Sequence, residues 1–440
     1  MKYEKAKSIL LTILVVLGSI LTWNLWTYQP NVEEYEKRST VKEVLLSSPK
    51  DLKDIVKVDQ ILFTIGGIHY GTASGERIDA VMNKISSWHF HSFRNIPFHQ
   101  VDPVSITKQH DSLQILYPSD LSSDLFSLIY KLNGDIPSFQ FDQILIDFER
   151  SEGENGIVYF ISQENELAYS SRVSLSSLTD FISTSFNGAK QLATFFPFTL
   201  ESGRTIYLPE KRKELVYNQY LIKRNIDSDE LKNALFSKPS LVQKYSITTG
   251  YEFTDGQNLM RENTDNHTIT YIDPSDAGSR NSVSNNFDLI RKSIDFVNNH
   301  GGWTDPYRFV SFDEKRSTVH FRMYGPDGYP VFGDNQPISK LEVEWGTSEI
   351  SRYNRNNFSL GHLANSQIKT LDSGHIALER IHSLNSFQPK LLQNVKIGYK
   401  MALNTQTRLV SLEPSWFYLY DGNWMPLNEI ETGGNEIGLE

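Results

Sequence analysis

Hydrophobic positions along the chain fall into two regimes. The first is one uninterrupted run. No charged residue occurs between Ser8 and Val32, and Ile9–Tyr28 reads ILLTILVVLGSILTWNLWTY, 20 residues. At about 1.5 Å per residue this run spans roughly 30 Å, one hydrocarbon core, and predicts a transmembrane helix over 8–28. Beyond it the pattern changes to short apolar stretches of alternating strand and helix period. Strands are predicted at Asp59–Tyr70, Trp88–Phe98, Leu113–Tyr117, Phe139–Phe148 and Ile157–Ser162. Helical spacing links Ile78, Val81, Met82 and Ile85, then Leu121, Leu125, Leu128 and Leu132, then Leu175, Leu178, Phe181 and Ile182, the last stopping near Asn187-Gly188.

Further along, Asp227 and Glu230 have capping-box spacing, with Ile226 and Leu231 placed as a hydrophobic staple, which predicts a short helix over Ser228–Phe236. The polar stretch Asp273–Asn286 reads as a linker. The remainder uses one plan twice: a helix followed by an antiparallel meander. Phe287, Ile290, Ile294 and Val297 mark the first helix, ending at Gly301. Strands Tyr307–Phe312, Thr318–Tyr324 and Tyr329–Phe332 follow, with an Asp327-Gly328 hairpin turn. Ala377, Leu378, Ile381 and Leu384 mark the second helix. Strands Val395–Leu403, Arg408–Leu412 and Trp416–Tyr420 come next, with a turn at Asp421-Gly422 before Trp424. The expected class is α+β with antiparallel sheets. Its divisions are a tail (1–7), the membrane helix (8–28), a linker (29–44), an N-terminal α+β domain (45–200), a middle domain (201–285) and a C-terminal α+β domain (286–440).

Charge orients the first segment. Lys2, Lys5 and Lys7, against a single Glu4, precede the apolar run, and Glu33, Glu34 and Glu36 follow it. The positive-inside rule therefore puts the amino terminus in the cytoplasm and the bulk of the chain outside. Trp23, Trp26 and Tyr28 sit where membrane-interface anchors belong. The run ends in WNLWTYQP without a small-residue cleavage site, so a retained anchor is expected in place of a cleaved signal peptide. On a helical projection Ser8, Thr12, Ser19 and Thr22 fall within about 80° of one another, with Val15 in the same arc. Gly18 and Thr22 form a small-xxx-small pair. In a bilayer, helices associate by close backbone approach and hydroxyl hydrogen bonds, so this face is a candidate partner-helix interface. The alternative is that the hydroxyls bond back to their own helix carbonyls.

Composition narrows the chemistry. The 440 residues carry 43 Lys+Arg against 53 Asp+Glu, net −10, which disfavours general nucleic-acid binding. With three Lys and one Glu in residues 1–28, the rest holds 40 basic against 52 acidic residues, net −12. There is no cysteine, which excludes disulfides, thiol nucleophiles and Cys-ligated metals. No G-x-S-x-G elbow, P-loop, H-E-x-x-H or EF-hand pattern occurs. His89 and His91 share a strand face and could hold a metal with a third ligand, but pairs of this kind are more often ordinary polar-face residues. The pairs Asp147/Glu149 and Glu342/Glu344 read as solvated strand faces, Gly66-Gly67 and Gly71 as a turn, and His300-Gly301-Gly302 as a helix stop. No catalytic, cofactor-binding or metal-ligating set is predicted.

The segment KAKSILLTILVVLGSILTWNLWTYQP resembles the amino terminus of YycH proteins of low-GC Gram-positive bacteria. YRFVSFDEKRSTVHFRMYGPDGYPVF and IGYKMALNTQTRLVSLEPSWFYLYDGNWMPL are similar to the carboxy-terminal part of that family, which its partner YycI shares. The resemblance implies a single-pass cell-membrane protein with a multi-domain extracytoplasmic part and a YycI-like C-terminal domain. It implies an accessory regulator, not an enzyme, that works with YycI on the YycG (WalK) sensor histidine kinase controlling cell-wall metabolism, through transmembrane helix contacts. The alternative is a membrane-anchored envelope enzyme or wall-polymer binding protein, which would show a cleft sensitive to point changes.

Overall fold

The computed structural model describes residues 48–186, 188–274, 286–333, 336–347, 349–404 and 406–427, together with Val15 and Gly18. The predicted tail, most of the membrane helix, the whole 29–44 linker and most of the Asp273–Asn286 linker lie outside the described residues. Ten strands before residue 210 build a first sheet: β1 (Gln60–Ile65), β2 (Ile68–Thr72), β3 (His89–Ile96), β4 (Ser112–Ser122), β5 (Lys131–Asn133), β6 (Gln140–Glu152), β7 (Asn155–Ser162), β8 (Leu167–Ser174), β9 (Ala193–Thr199) and β10 (Thr205–Pro209). Their order is β10-β9-β2-β1-β4-β6-β7-β8-β3-β5, antiparallel except for β3–β5. Alternation sends Phe63, Ile115, Ile146, Val158 and Phe160 into the main core. The rings of Phe90, Phe126, Phe139 and Phe141 gather around Phe160 with centroids 5.0–5.8 Å away. Leu145, Tyr159 and Ile161 face the other way and pack with Val101 and Ile106.

Five α-helices lie between residues 48 and 182: α1 (Leu52–Ile55), which packs on third-sheet elements, then α2 (Gly75–Ile85), α3 (Pro103–Gln109), α4 (Ser123–Ser127) and α5 (Leu175–Phe181). The spacing read in the sequence holds for α2, which buries Ile78, Val81, Met82 and Ile85. It fails for the Leu121–Leu132 helix. There β4 continues to Ser122 through an irregular register between Leu116 and Leu121. The Ser122 hydroxyl then caps a single turn by accepting from Leu125 N, and the chain leaves as β5. Leu121 and Leu125 are buried without a long helix to present them, because strand pairing claims the first and the cap limits the second.

The rest of the chain interleaves two sheets. In chain order the elements are β11 (Lys213–Asn225), α6 (Ser228–Leu235), β12 (Gln243–Ile247), β13 (Gly250–Thr254), β14 (Leu259–Asn263), β15 (Thr268–Ile272), α7 (Asn286–Asn299), β16 (Tyr307–Asp313), β17 (Thr318–Met323), β18 (Val331–Gly333), β19 (Lys340–Trp345), β20 (Ile350–Asn356), β21 (Phe358–Leu371), α8 (Gly374–His382), β22 (Leu392–Asn404), β23 (Leu409–Tyr420) and β24 (Asn423–Pro426). The second sheet runs β18-β22-β23-β11-β21, with β24 beside β23. The third runs β12-β13-β14-β15-β20-β19-β17-β16. The stretch 201–285 thus gives strands to all three sheets. Asp227 caps α6 by accepting from Asp229 N, and Ile226 and Leu231 are buried at that turn.

Two expected elements take a different form. The Thr318–Tyr324/Tyr329–Phe332 hairpin forms no ladder, just a bridge between Tyr324 and Pro330. Both edges of β17 are already occupied, by β16 and β19. β18 therefore crosses to the second sheet and pairs parallel with β22. The strands expected at Arg408–Leu412 and Trp416–Tyr420 are one strand, β23, running through Pro414. That proline faces Tyr399 of β22, whose N–H donates instead to Pro330 O. On the other edge, β11 pairs only with 409–412 and β24 only with 417–420. Pro414 falls in the gap, where a missing N–H costs no ladder bond.

One polar contact ties the sheets together. Asp59, at the entry to β1, accepts from Lys396 Nζ of β22 at 2.7 Å and from the Tyr324 hydroxyl after β17 at 2.7 Å. Arg308 of β16 lies over the Tyr324 ring, 4.2 Å from its centroid, and donates to Val58 O. Burial pushes the Asp59 carboxyl up, but Lys396, the Tyr324 hydroxyl and the Arg308 charge outweigh it and hold the pKa below the ordinary value. Nearby, the Asp327-Gly328 turn presses on the loop before α2. A Cβ on Gly328 (φ +82°) would lie 2.1 Å from Ala73 O and 2.9 Å from Gly75 N.

Asp59→Ala strips Lys396 of its counter-ion and is expected to lower stability by about 3 kcal/mol. Because the folded pKa is depressed, the carboxylate's contribution is complete above its unfolded pKa and is lost as pH falls through the folded one. Thermal unfolding of the full chain should therefore show a wild-type advantage over Asp59→Asn that is constant near neutrality and shrinks below about pH 4. A second expectation separates the two Asp-Gly turns. Gly422→Ala strains only the backbone (φ +74°, no atom within 4 Å of the added carbon) and should cost about 1 kcal/mol. Gly328→Ala adds a backbone clash and should cost clearly more in the same assay.

Candidate functional site

Where the three sheets meet, the structure leaves a cavity of about 520 Å³, in the range of small-ligand sites. A smaller recess of about 100 Å³ adjoins it, with Asp142, Gln163, Arg204, Pro330 and Lys396 common to both linings. The first sheet contributes Ser119 and Asp120 at the end of β4, Asp142 of β6, and Gln163 and Glu164 after β7. The third contributes His320 and Arg322 of β17 and Lys340 of β19. The second contributes Phe332 of β18 and Lys396, with Trp424 of β24.

The walls differ in charge. On the first-sheet side, Asp142 is buried and pairs with Arg204 at 3.0 Å, and burial raises its pKa. Asp120 Oδ2 accepts from the Ser162 hydroxyl at 3.1 Å and from Asn165 Nδ2 at 2.7 Å, whereas Oδ1 is buried without a hydrogen bond, as is Ser119 Oγ. Burial, and then the Asp142 charge, push Asp120 up to about 6. On the third-sheet side, Arg322 and Lys340 are direct cross-strand neighbours and so share a face. Arg322 is 6% exposed. It donates from Nη1 to Val331 O at 3.1 Å and lies over the Phe332 ring, 4.2 Å from its centroid. Burial pulls Arg322 down to about 10; burial and the Arg322 charge pull Lys340 to about 8. Two residues along, His320 Nδ1 lies 3.2 Å from Glu342 Oε1. The imidazole, with Asn354 Nδ2 on the other oxygen, takes Glu342 down to about 2.

The residues singled out in the sequence lie mostly elsewhere. Of the proposed helix interface, Val15 and Gly18 are helical, Val15 is exposed, and a Cβ on Gly18 would meet nothing within 4 Å. Ser8, Thr12, Ser19, Thr22, Trp23, Trp26 and Tyr28 lie outside the described residues. Among the described residues, no helix is long and apolar enough to cross a membrane. His89 contacts Asn133 and His91 contacts Ser92, and no group of three or more potential metal ligands occurs among the described residues. Asp147 corrects the reading of a solvated face. It is fully buried, lies 2.8 Å from His110 Nδ1, and accepts from the N–H groups of Glu149 and Arg150, because the β6–β7 register breaks just after it and the chain folds back over the carboxylate. Glu342 is half-buried against His320. Sequence reasoning missed Asp120, Arg322 and Lys340. For Arg322 the signal was present in the alternation of β17 (Thr318, His320, Arg322 between Val319, Phe321 and Met323), which reads as a wet face until a second sheet is known to cover it.

Comparison with known proteins places the chain. The family model described as YycH protein, C-terminal domain, matches residues 203–434, and that described as YycH protein, N-terminal domain, matches residues 4–187. The Bacillus subtilis (strain 168) protein named two-component system WalR/WalK regulatory protein YycH is 24% identical over 466 residues, with all of both chains covered. The crystal structure of YycH from Bacillus subtilis superposes with a TM-score of 0.74 at 20% identity, covering 87% of this chain and 98% of that one, so the mixed α+β fold is shared. The C-terminal match alone takes in more than half of the residues, and the N-terminal match most of the rest: the chain belongs to the YycH protein family.

Proposed function

We propose that the chain is a membrane-anchored accessory regulator of a two-component system, acting on a WalK-type sensor histidine kinase that controls cell-wall metabolism. The observation that carries this reading is similarity over the whole of both chains to a protein named as a WalR/WalK regulatory protein. It acts without catalysis of its own, together with a YycI-like membrane partner. The amino terminus is cytoplasmic, the Ile9–Tyr28 helix spans the cell membrane, and the three sheets lie outside. The Lys2/Lys5/Lys7 excess and the uncharged run support that topology.

Signalling across a bilayer requires a contact that differs between the kinase's two states. A packed transmembrane helix biases those states directly. Interhelical hydroxyl bonds contribute about 0.6 kcal/mol each in membranes. Several of them, with close packing at Gly18, reach the roughly 1–3 kcal/mol typical of allosteric coupling. The face of Ser8, Thr12, Val15, Gly18, Ser19 and Thr22 is the proposed docking stripe, and Trp23, Trp26 and Tyr28 fix its depth.

Replacing Gly18 and Thr22 together by Leu should hold the backbones apart while keeping the helix inserted, and kinase output should shift away from wild type at equal expression. Replacing Ile13 and Ile20, off the stripe, by Leu should leave output unchanged. Equal effects of the two pairs would remove the interface. Protease added to intact protoplasts should digest nearly everything after Tyr28; full protection would reverse the topology.

A further inference from the structure

The three-sheet cavity holds two buried charges that, among the described residues, have no oppositely charged group in direct contact. Some ions in its lining are matched: Asp142 with Arg204 at 3.0 Å, and Lys396 with Asp59 at 2.7 Å. Arg322 is not. Its guanidinium is buried and, among the described residues, donates to the neutral carbonyl of Val331 and meets the face of Phe332, with no carboxylate in contact; the Glu342 and Asp59 charges act on it only from further away. The neighbouring cation is Lys340, directly across the ladder, so the site concentrates positive charge. Asp120 is the converse. Its contacts are a hydroxyl and an amide, both neutral, and Oδ1 is buried with nothing to accept from. Asp142 and Glu164 add negative charge beside it, which Arg204 offsets only in part. A buried charge without a counter-ion is costly, and native proteins retain one where something else supplies the partner.

We propose that the cavity binds a small zwitterion of the short-peptide or amino-acid class, its carboxylate on Arg322 and its ammonium group on Asp120. Arg322 offers a planar fork suited to a carboxylate, with Lys340 adding charge beside it. The Asp120 carboxylate accepts N–H bonds from the ammonium, and the Ser119 hydroxyl, also buried and without a partner, stands next to it. Phe332 and Trp424, whose rings lie 5.1 Å apart, also line the cavity and give it an apolar side for the ligand body. A ligand bridging walls from different sheets would favour one arrangement of the sheets. The inference stands on the cavity alone and does not require the kinase reading.

The test is calorimetric titration of the full chain in detergent micelles with alanine oligopeptides of two to four residues. Each is compared with its N-acetylated and its C-amidated form. At least one length should bind, and blocking either end should weaken it tenfold or more. In Asp120→Asn the penalty for acetylation should vanish while that for amidation remains; in Arg322→Gln the reverse should hold. Wild-type discrimination between free and blocked peptides needs no variant, so a destabilised variant does not spare the proposal. No binding at millimolar concentration for any length, equal binding of free and blocked forms, or inorganic phosphate binding as tightly as the best peptide would each overturn it.

Discussion

The Asp59 carboxylate is the point on which the arrangement of the three sheets depends. Its partners come from segments 265 and 337 residues away, each from another sheet. None of the three groups is stable alone at that depth. A carboxylate, an ammonium and a phenol removed from water need one another, and they meet only when the first residues of β1, the middle of β22 and the end of β17 have all arrived. Apolar packing is non-directional and would tolerate many relative placements of three large sheets. Two hydrogen bonds of 2.7 Å to opposite oxygens of one carboxylate tolerate few.

The same junction explains two features that look unrelated along the chain. β18 leaves the third sheet because β17 has no free edge, and its crossing to β22 brings Phe332 and Val331 over Arg322. The loop that makes the crossing possible leans on the segment before α2 so closely that only a residue without a Cβ fits at position 328. The cavity is therefore a consequence of how the sheets are forced together. Its lining takes Pro330 and Phe332 from the strap that crosses between sheets and residues from all three sheets. Arg322 and Asp120 occupy that lining at a cost to stability that packing elsewhere offsets.

Much of this was legible in the sequence. The spacing of Ile78, Val81, Met82 and Ile85 marked a helix that exists, Asp227 marked the start of another, and Asp421-Gly422 marked a two-residue turn, in which both residues have positive φ. What was not legible depends on partners distant in the chain. Leu121–Leu132 has helical spacing, yet pairing of β4 with β6 captures its first residues. Arg408–Leu412 and Trp416–Tyr420 read as two strands, and only the gap between β11 and β24 lets them join through Pro414. Asp147 alternates like a surface residue, and only the fold buries it. The cavity was the least visible feature, since a polar strand face looks the same from sequence whether water or another sheet lies opposite. The proposed membrane stripe, in contrast, was read from composition and period alone, because a bilayer imposes its pattern without regard to tertiary partners.

The central claim is that this chain regulates a sensor kinase through the membrane. The most direct measurement is autophosphorylation of a WalK-type kinase reconstituted in proteoliposomes, with and without the full chain and a YycI-like partner at fixed lipid ratio. The account predicts a change in the kinase's phosphorylation rate that requires the Ile9–Tyr28 helix and disappears when that helix is replaced by an unrelated span. An unchanged rate with all components inserted in the same bilayer, or a full effect from a chain lacking its own helix, would contradict it.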